Sequence, residues 1–406
     1  MTIQIPNQVQ AQSSTAPMSE KKLVAEPDTH IIPSLQVAER YDSNVFFVPG
    51  TNLEDYVTTV SPQLKLNHRN QWVEGKVGGG ATGEVYAKNS GLNYVGANGT
   101  VDLNLDGTIN KFIHGVALRV ADTISYTPQL QSFATSSADA QGIDSFIRGL
   151  QAQRANSFVN IGTVQGSYTF SSSMSFTSIY TDQRLRFGNA IATPSGSVPR
   201  GLIDTNFQTV TSGPVVNLSP SDTVSLSHLY QHGTFGDGGT QSSFSIHGAT
   251  GKWSRSMTPA LQATVEGGFA VISSSGNVQS TGAASLRWQG EYTTVLVSYS
   301  RAITPSFLVA STALLSQVVT GAVNRQITGP LSLSLSGSYA VNESVPDSSL
   351  LRFESYSITP SIYYLIGKTF TTRLSYTHSQ FEQTFASQTF PFDRNLVQLS
   401  MTAEWK

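Results

Sequence analysis

The chain has 406 residues and a formal net charge of -2, and Asp, Glu, Lys and Arg together make up only 12 % of it. That is about half the ~25 % of an ordinary globular protein, and a soluble chain of this length would cover its surface with Lys and Glu. Aromatic residues at 10 % exclude a disordered chain. The absence of cysteine excludes disulfides, thiolate metal sites and cysteine nucleophiles, and the near-neutral balance gives no general pull towards nucleic acid.

Residues 1–29 are polar, contain proline and show no periodicity, so they are expected to form a flexible periplasmic leader or the remnant of a secretory signal. Met1–Lys22 has no apolar h-region, although Val9–Ser13 resembles a cleavage region. From there the pattern turns to period two. No apolar run reaches the ~18 residues that a membrane helix needs; the longest, such as Phe307–Leu315, are interrupted by Ser or Thr. In hydrocarbon every backbone N–H and C=O must be paired internally, so without helices only a closed barrel can span.

Strands are predicted at 31–40, 56–67, 71–86, 94–105, 111–126, 157–170, 174–187, 207–218 and 223–234. They continue at 242–254, 261–272, 279–289, 292–301, 314–325, 330–341, 353–366, 370–380 and 394–405. The clearest window is Pro330–Val341, where Leu331, Leu333, Leu335, Gly337, Tyr339 and Val341 share one face. Ser332, Ser334, Ser336, Ser338 and Ala340 share the other. A helix would scatter these two sets around its circumference, whereas a strand separates them. Tyr94–Leu105 and Ser355–Ile366 repeat the pattern.

Short links such as His68–Asn70, Asp106–Asn110, Ser219–Asp222 and Gly367–Thr369 alternate with longer ones: Tyr41–Asp55, Thr127–Asn156, Gly188–Asn206, Ala302–Ala313, Asn342–Arg352 and Phe381–Asp393. Short periplasmic turns and long external loops alternate in this way in outer-membrane barrels. The expected fold is therefore an all-β transmembrane antiparallel barrel of about 18 strands (16–18) over residues 30–406, localised to the bacterial outer membrane. Its partners would be the lipid bilayer and lipopolysaccharide. The final strand, with Val397, Leu399, Met401, Ala403 and Trp405 on one face, resembles the membrane-insertion signal read by the outer-membrane assembly machinery, although Lys406 follows the aromatic residue. Aromatics near strand ends (Tyr56, Phe112, Tyr126, Phe158, Phe170, Trp288, Tyr364, Phe370) suit interfacial girdles.

Catalytic signatures are sparse. Gly78–Gly83 fits G-x-G-x-x-G, but Glu84-Val85-Tyr86 continues as strand where a dinucleotide site needs a helix. His228 and His232 share a strand face about 13 Å apart at ~3.3 Å per residue, too far for one metal ion. Neither an enzyme nor any cofactor or metal is expected. The phase of the clear strands points Lys65, Arg119, Arg287 and Arg373 inwards, against Asp102, Glu266 and Glu404, with Arg184, Arg186 and Arg200 near one external loop. Such a slightly basic lumen would favour anionic solutes; equally, the charges could pair across the barrel. The long loop 127–156 could constrict the lumen or stay outside as a lid.

The segment Gln36–Val45, followed by Thr59–Leu66, is similar to the first hairpin of the β-barrel porin family called "beta-barrel porin 2". Tyr299–Ser306 and the terminal strand resemble it too. The resemblance covers most of residues 30–406. It implies an outer-membrane conduit, without catalytic residues, of a family that often accompanies exopolysaccharide synthesis and export, with a surface polysaccharide as cargo. The alternatives are a non-conducting surface scaffold or adhesin and an outer-membrane barrel enzyme.

Overall fold

The computed structural model describes residues 27–46, 53–127, 155–190, 203–236, 242–273, 275–305, 313–345, 351–385 and 388–405. Within them lie eighteen strands. The first nine are β1 (Asp28–Asp42), β2 (Asp55–Arg69), β3 (Glu74–Tyr86), β4 (Tyr94–Asn104), β5 (Val116–Thr127), β6 (Ala155–Ser171), β7 (Met174–Ala190), β8 (Thr205–Asn217) and β9 (Asp222–Phe235). The rest are β10 (Ser242–Thr258), β11 (Leu261–Ile272), β12 (Asn277–Gln289), β13 (Thr293–Pro305), β14 (Ala313–Gln326), β15 (Leu331–Val345), β16 (Leu351–Ile366), β17 (Phe370–Phe385) and β18 (Gln388–Glu404).

Each strand pairs antiparallel with its neighbours in sequence, and β1 closes the ring on β18 from Ser34↔Glu404 to Asp42↔Leu396. The fold is a closed, antiparallel, 18-stranded barrel. Closure leaves no sheet edge unpaired, which is what a membrane-crossing sheet requires. No helix among the described residues is long and apolar enough to cross a membrane; the strands do the crossing.

Directly opposed residues of an antiparallel pair lie on the same face, so the registers fix the faces around the whole ring. The outer face carries exposed apolar side chains that a water-soluble protein would bury: Leu333 and Leu335 on β15, Ile358 and Ile362 on β16, Leu374 on β17, Leu399 and Met401 on β18. Aromatics border this band. At the end that holds both termini stand Trp72, Phe170, Trp288, Tyr364, Phe370 and Trp405; at the other stand Tyr56, Tyr299, Tyr339, Tyr356 and Tyr376. On β16, Tyr356 and Tyr364 are separated by about 26 Å at ~3.3 Å per residue, or roughly 20 Å in height for a strand tilted by ~40°. That approaches the ~25 Å apolar band of outer-membrane barrels. A barrel so built lies in the outer membrane.

The strands outrun their predicted lengths at the end away from the termini. Phe381–Asp393 is no long loop: β17 runs to Phe385 and β18 begins at Gln388. Asn342–Arg352 shortens similarly, whereas Tyr41–Asp55 loses only its end residues to β1 and β2. β1 starts at Asp28, inside the expected leader; residues 1–26 lie outside the described ones. The predicted strand 111–126 begins only at Val116, because Asp106–Ile109 forms a single helical turn, α1, with turn residues after it. Phe112 is therefore on a turn instead of a strand, though at the termini side of the band. Thr108 Oγ1 donates to the Trp72 carbonyl oxygen (3.0 Å), packing this turn against the one between β2 and β3.

Candidate functional site

The barrel encloses a lumen, and the described part of its wall divides into sectors. From β13 to β18 the inward residues of the membrane-embedded part are mostly hydroxyls. They pair laterally: Ser298 with Thr320 (2.6 Å), Ser338 with Ser357 (3.0 Å) and Thr359 with Thr377 (2.9 Å). Short side chains that bond one another keep a wall polar without charge and without reaching into the lumen.

Charge gathers on the other sectors and near the termini-side mouth. Lys65 faces inward near the end of β2, Arg287 near the end of β12 and Arg373 near the start of β17. None of the three has a carboxylate within ion-pair distance among the described residues. The Arg287 Nη2 donates to Gln289 Oε1 (3.4 Å), and Arg373 lies 5.1 Å from the Tyr363 ring centroid with its Nη2 donating to Ser361 Oγ (3.2 Å). Arg119 differs from them. Its Nε and Nη2 donate to the two carboxylate oxygens of Asp102 (2.8 and 2.5 Å), so its charge is neutralised within the wall. Glu266 opposes Lys252 in register. The inward charges thus fall into two groups, those held by or opposite a partner and those without a carboxylate nearby among the described residues.

Above the aromatic border the strands continue outwards, and on β16 and β17 their polarity inverts. On β16 the outward positions change from Ile358 and Tyr356 to Glu354 and Arg352, while the inward ones change from Ser357 and Ser355 to Phe353 and Leu351. On β17 the inward series Ser375, Thr377, Ser379 gives way to Phe381, whose ring lies 4.8 Å from that of Phe392 on β18. The tyrosines at the boundary hold the polar outer face: Tyr339 donates to Glu354 (2.6 Å), Tyr376 to Asn395 (2.8 Å) and Tyr41 to Glu54 (2.8 Å). One contiguous apolar cluster inside this outer part includes Val159, Leu185, Phe207, Phe235, Phe244, Ile246, Leu314, Leu351 and Phe353. A second gathers Val45, Phe46, Val57, Tyr86 and Leu92.

Two inward ion pairs brace the seam beneath the second cluster. Arg394 on β18 holds both carboxylate oxygens of fully buried Asp42 on β1. Arg40 on β1 reaches across β2 to Glu84 on β3 (3.3 and 3.0 Å), and the Tyr86 hydroxyl donates to the same carboxylate (2.8 Å). Sequence reading missed both pairs and the apolar clusters, because period two alone does not show where along a strand the lipid-facing phase ends.

Other motifs fall into place. The glycine run lies wholly within β3, and a side chain at Gly80 would meet the Pro62 carbonyl oxygen at 2.6 Å. Close strand packing therefore accounts for glycine at that position. His228 and His232 lie on the outer face of β9. The His228 ring is 6.1 Å from that of His247, and His232 Nδ1 shares a hydrogen bond with Ser245 Oγ (3.0 Å). Among the described residues no group of three or more His, Asp or Glu side chains could hold a metal ion. Arg184 pairs with Asp182 (2.8 Å) on the outer face of β7, with Arg186 two residues further on. Arg200 and the loop segment 128–154 lie outside the described residues.

No family model and no curated protein matches the chain. Solved structures with a similar course include the outer membrane protein OpdK of Pseudomonas aeruginosa, at 9 % identity over 93 % of this chain and 99 % of that one, with a TM-score of 0.45. OccAB3 of Acinetobacter baumannii is 13 % identical over 93 % and 100 % (TM-score 0.44). The siderophore receptor PirA of A. baumannii is 8 % identical over 95 % and 81 % (TM-score 0.48).

Proposed function

We propose that the chain is an outer-membrane channel for small hydrophilic solutes. The observation that carries this reading is the inner wall of the membrane-embedded barrel, where uncharged hydroxyls predominate over six strands behind a lipid-facing band. Barrels of 16–18 strands leave an aqueous channel. The three inward cations without carboxylate partners, Lys65, Arg287 and Arg373, stand near one mouth and would raise the local concentration of anions there. The pairing of Arg119 with Asp102 removes it from that set. Discrimination works through width and local charge, and the reading assigns no catalytic residue.

A finer reading names an exported surface polysaccharide as cargo. The resemblance to a family that accompanies exopolysaccharide systems supports it, as does a wall whose charge is sparse over these six strands. Flux through reconstituted protein tests both levels. Replacing Lys65, Arg287 and Arg373 together by Gln should move the reversal potential towards cation preference, and an unchanged potential would remove these residues from the argument. Passage of linear oligosaccharides in liposome swelling would support the sugar cargo, and their exclusion at a size where salts pass would sink it. A folded barrel that passes neither ions nor sugars, even when its outer end is opened by substitution, would serve as a surface scaffold instead.

A further inference from the structure

The outer part of the barrel has an interior that an open channel would not keep. Phe235, Ile246, Leu314 and Leu351 are inward-facing on four different strands and are 0 % exposed. A large side chain on the wall of an aqueous channel keeps its lumen side in water, so lateral neighbours alone cannot bring its exposure to zero. Their burial therefore reflects more than contacts along the wall.

The residues are arranged for that packing. Gly233 on β9 leaves a notch where a side chain would meet the Phe207 and Phe244 rings at 3.0 and 3.1 Å. The two rings converge there, 6.0 Å apart, and Phe235 stacks on Phe244 at 5.3 Å. On the β1–β4 side the chain leaves the wall altogether. Val45 and Phe46, between β1 and β2, and Leu92, between β3 and β4, bury themselves with inward-facing Val57 and Tyr86. The Val45 N–H donates to the Leu53 carbonyl oxygen (2.9 Å), holding the segment there.

We propose that this apolar collar is a hydrophobic gate that shuts the outer mouth of the channel at rest. The inference rests on the channel reading above. Apolar constrictions exclude water, and with it any hydrated solute, before their walls touch.

The gate also holds a feature that favours opening. Asn342, inward on β15 opposite Ser316 and Phe353, is 0 % exposed, and neither its amide nitrogen nor its amide oxygen has a partner among the described residues. Such groups weigh against the packed state. Hydration on opening would satisfy them, so Asn342 sets the balance between shut and open.

Single-channel recording of the purified full-length protein in planar bilayers tests the gate, with heat-modifiable migration on gels as the check that each variant is folded. The unmodified protein should be shut most of the time. Phe235→Ser combined with Phe353→Ser should raise the fraction of time open by roughly tenfold or more, the effect of losing two buried aromatic contacts from one state only. Asn342→Leu, which removes the unpaired amide and keeps the volume, should lower it. Steady conductance of the unmodified protein would overturn the gate and leave the channel reading standing. Silence of both the unmodified protein and the folded double variant would overturn both. Channels that open equally often in all three proteins would show that the collar does not govern access.

Discussion

The membrane-embedded barrel and its outer extension are continuous, yet on β16 and β17 they obey opposite rules. In the lower part Leu333, Ile362 and Leu399 face outwards and Ser334, Ser361 and Ser400 face inwards. In the upper part Glu354 and Glu382 face outwards and Phe353 and Phe381 inwards. The backbone pleat continues through the boundary, so the inversion lies in the sequence and reports the change of surroundings, from lipid around water to water around an apolar core. A strand keeps its register on crossing this boundary because each half buries its own apolar face, and a one-residue slip would expose both.

The largest effect that would break this comparison is the loss of a buried charge partner in the upper part. Arg394→Ala leaves the Asp42 carboxylate, 0 % exposed, without its cation, and breaking such a pair typically costs about 3–5 kcal/mol. Urea unfolding of the protein in detergent should show the loss, and Asp42→Asn combined with Arg394→Gln should recover much of it. Phe244→Ala removes a ring packed against Phe207 and Phe235 and should cost about 3–5 kcal/mol by the same measure. The matched change on the outer face of the lower barrel, Leu399→Ala, should cost much less in a bilayer, because lipid closes over the shortened side chain and leaves no cavity. Equal costs at the two positions would argue that Phe244 does not sit in a packed core.

Polarity gives the reciprocal test. Leu399→Arg places a charge in the apolar band and should destabilise the folded barrel by about 2–4 kcal/mol in vesicles. Glu382→Arg, above the boundary on an outward and exposed position of β17, should change stability by less than about 0.5 kcal/mol. If the two substitutions proved alike, the membrane boundary would have to lie further out than the Tyr356–Tyr376 border. The border itself is open to a finer test. Tyr339→Phe removes the hydroxyl that donates to Glu354 and should cost about 1 kcal/mol.

The lower barrel was legible in the sequence because alternation there is uninterrupted. All eighteen strands were found, and the even count, the side of the termini and most turns followed. The upper part was not, for a physical reason. Where the polarity inverts, as between Tyr356 and Phe353 or between Tyr376 and Phe381, two like residues fall at odd spacing and period two appears to stop. Strand ends were therefore set too low and loops read too long, at Phe381–Asp393 above all. The start of β5 failed differently: Asp106–Ile109 forms a helical turn, and Asn110 Oδ1 accepts from the Gly115 N–H (3.0 Å), so Lys111–His114 precede the strand as turn residues. For the inward charges, strand phase showed the face of each residue. It could not show that Asp102 would hold Arg119, since that depends on which strands pair and in what register.

The smallest effect concerns the polar outer face above the border, where water already screens every contact. Lys88 donates to Glu54 (2.6 Å), and both lie in loops outside the strands. The Lys88 ammonium, followed by the Tyr41 hydroxyl, holds the Glu54 carboxyl below its ordinary value of 4.5; the same contact with Glu54 raises Lys88 above its ordinary 10.5. A carboxylate whose folded value is lowered contributes stability that is complete above its unfolded value and fades as pH falls through the folded one. An ammonium whose folded value is raised contributes below its unfolded value, and that contribution fades as pH rises through the folded one. The pair should therefore add a flat increment between these limits. Glu54→Gln should lower the unfolding temperature slightly across that plateau, and the difference from the unmodified protein should disappear at low pH and shrink in molar salt. A difference that persisted in acid or in high salt would mean that Glu54 acts through packing, which would place this loop with the apolar interior instead of with the water-facing surface.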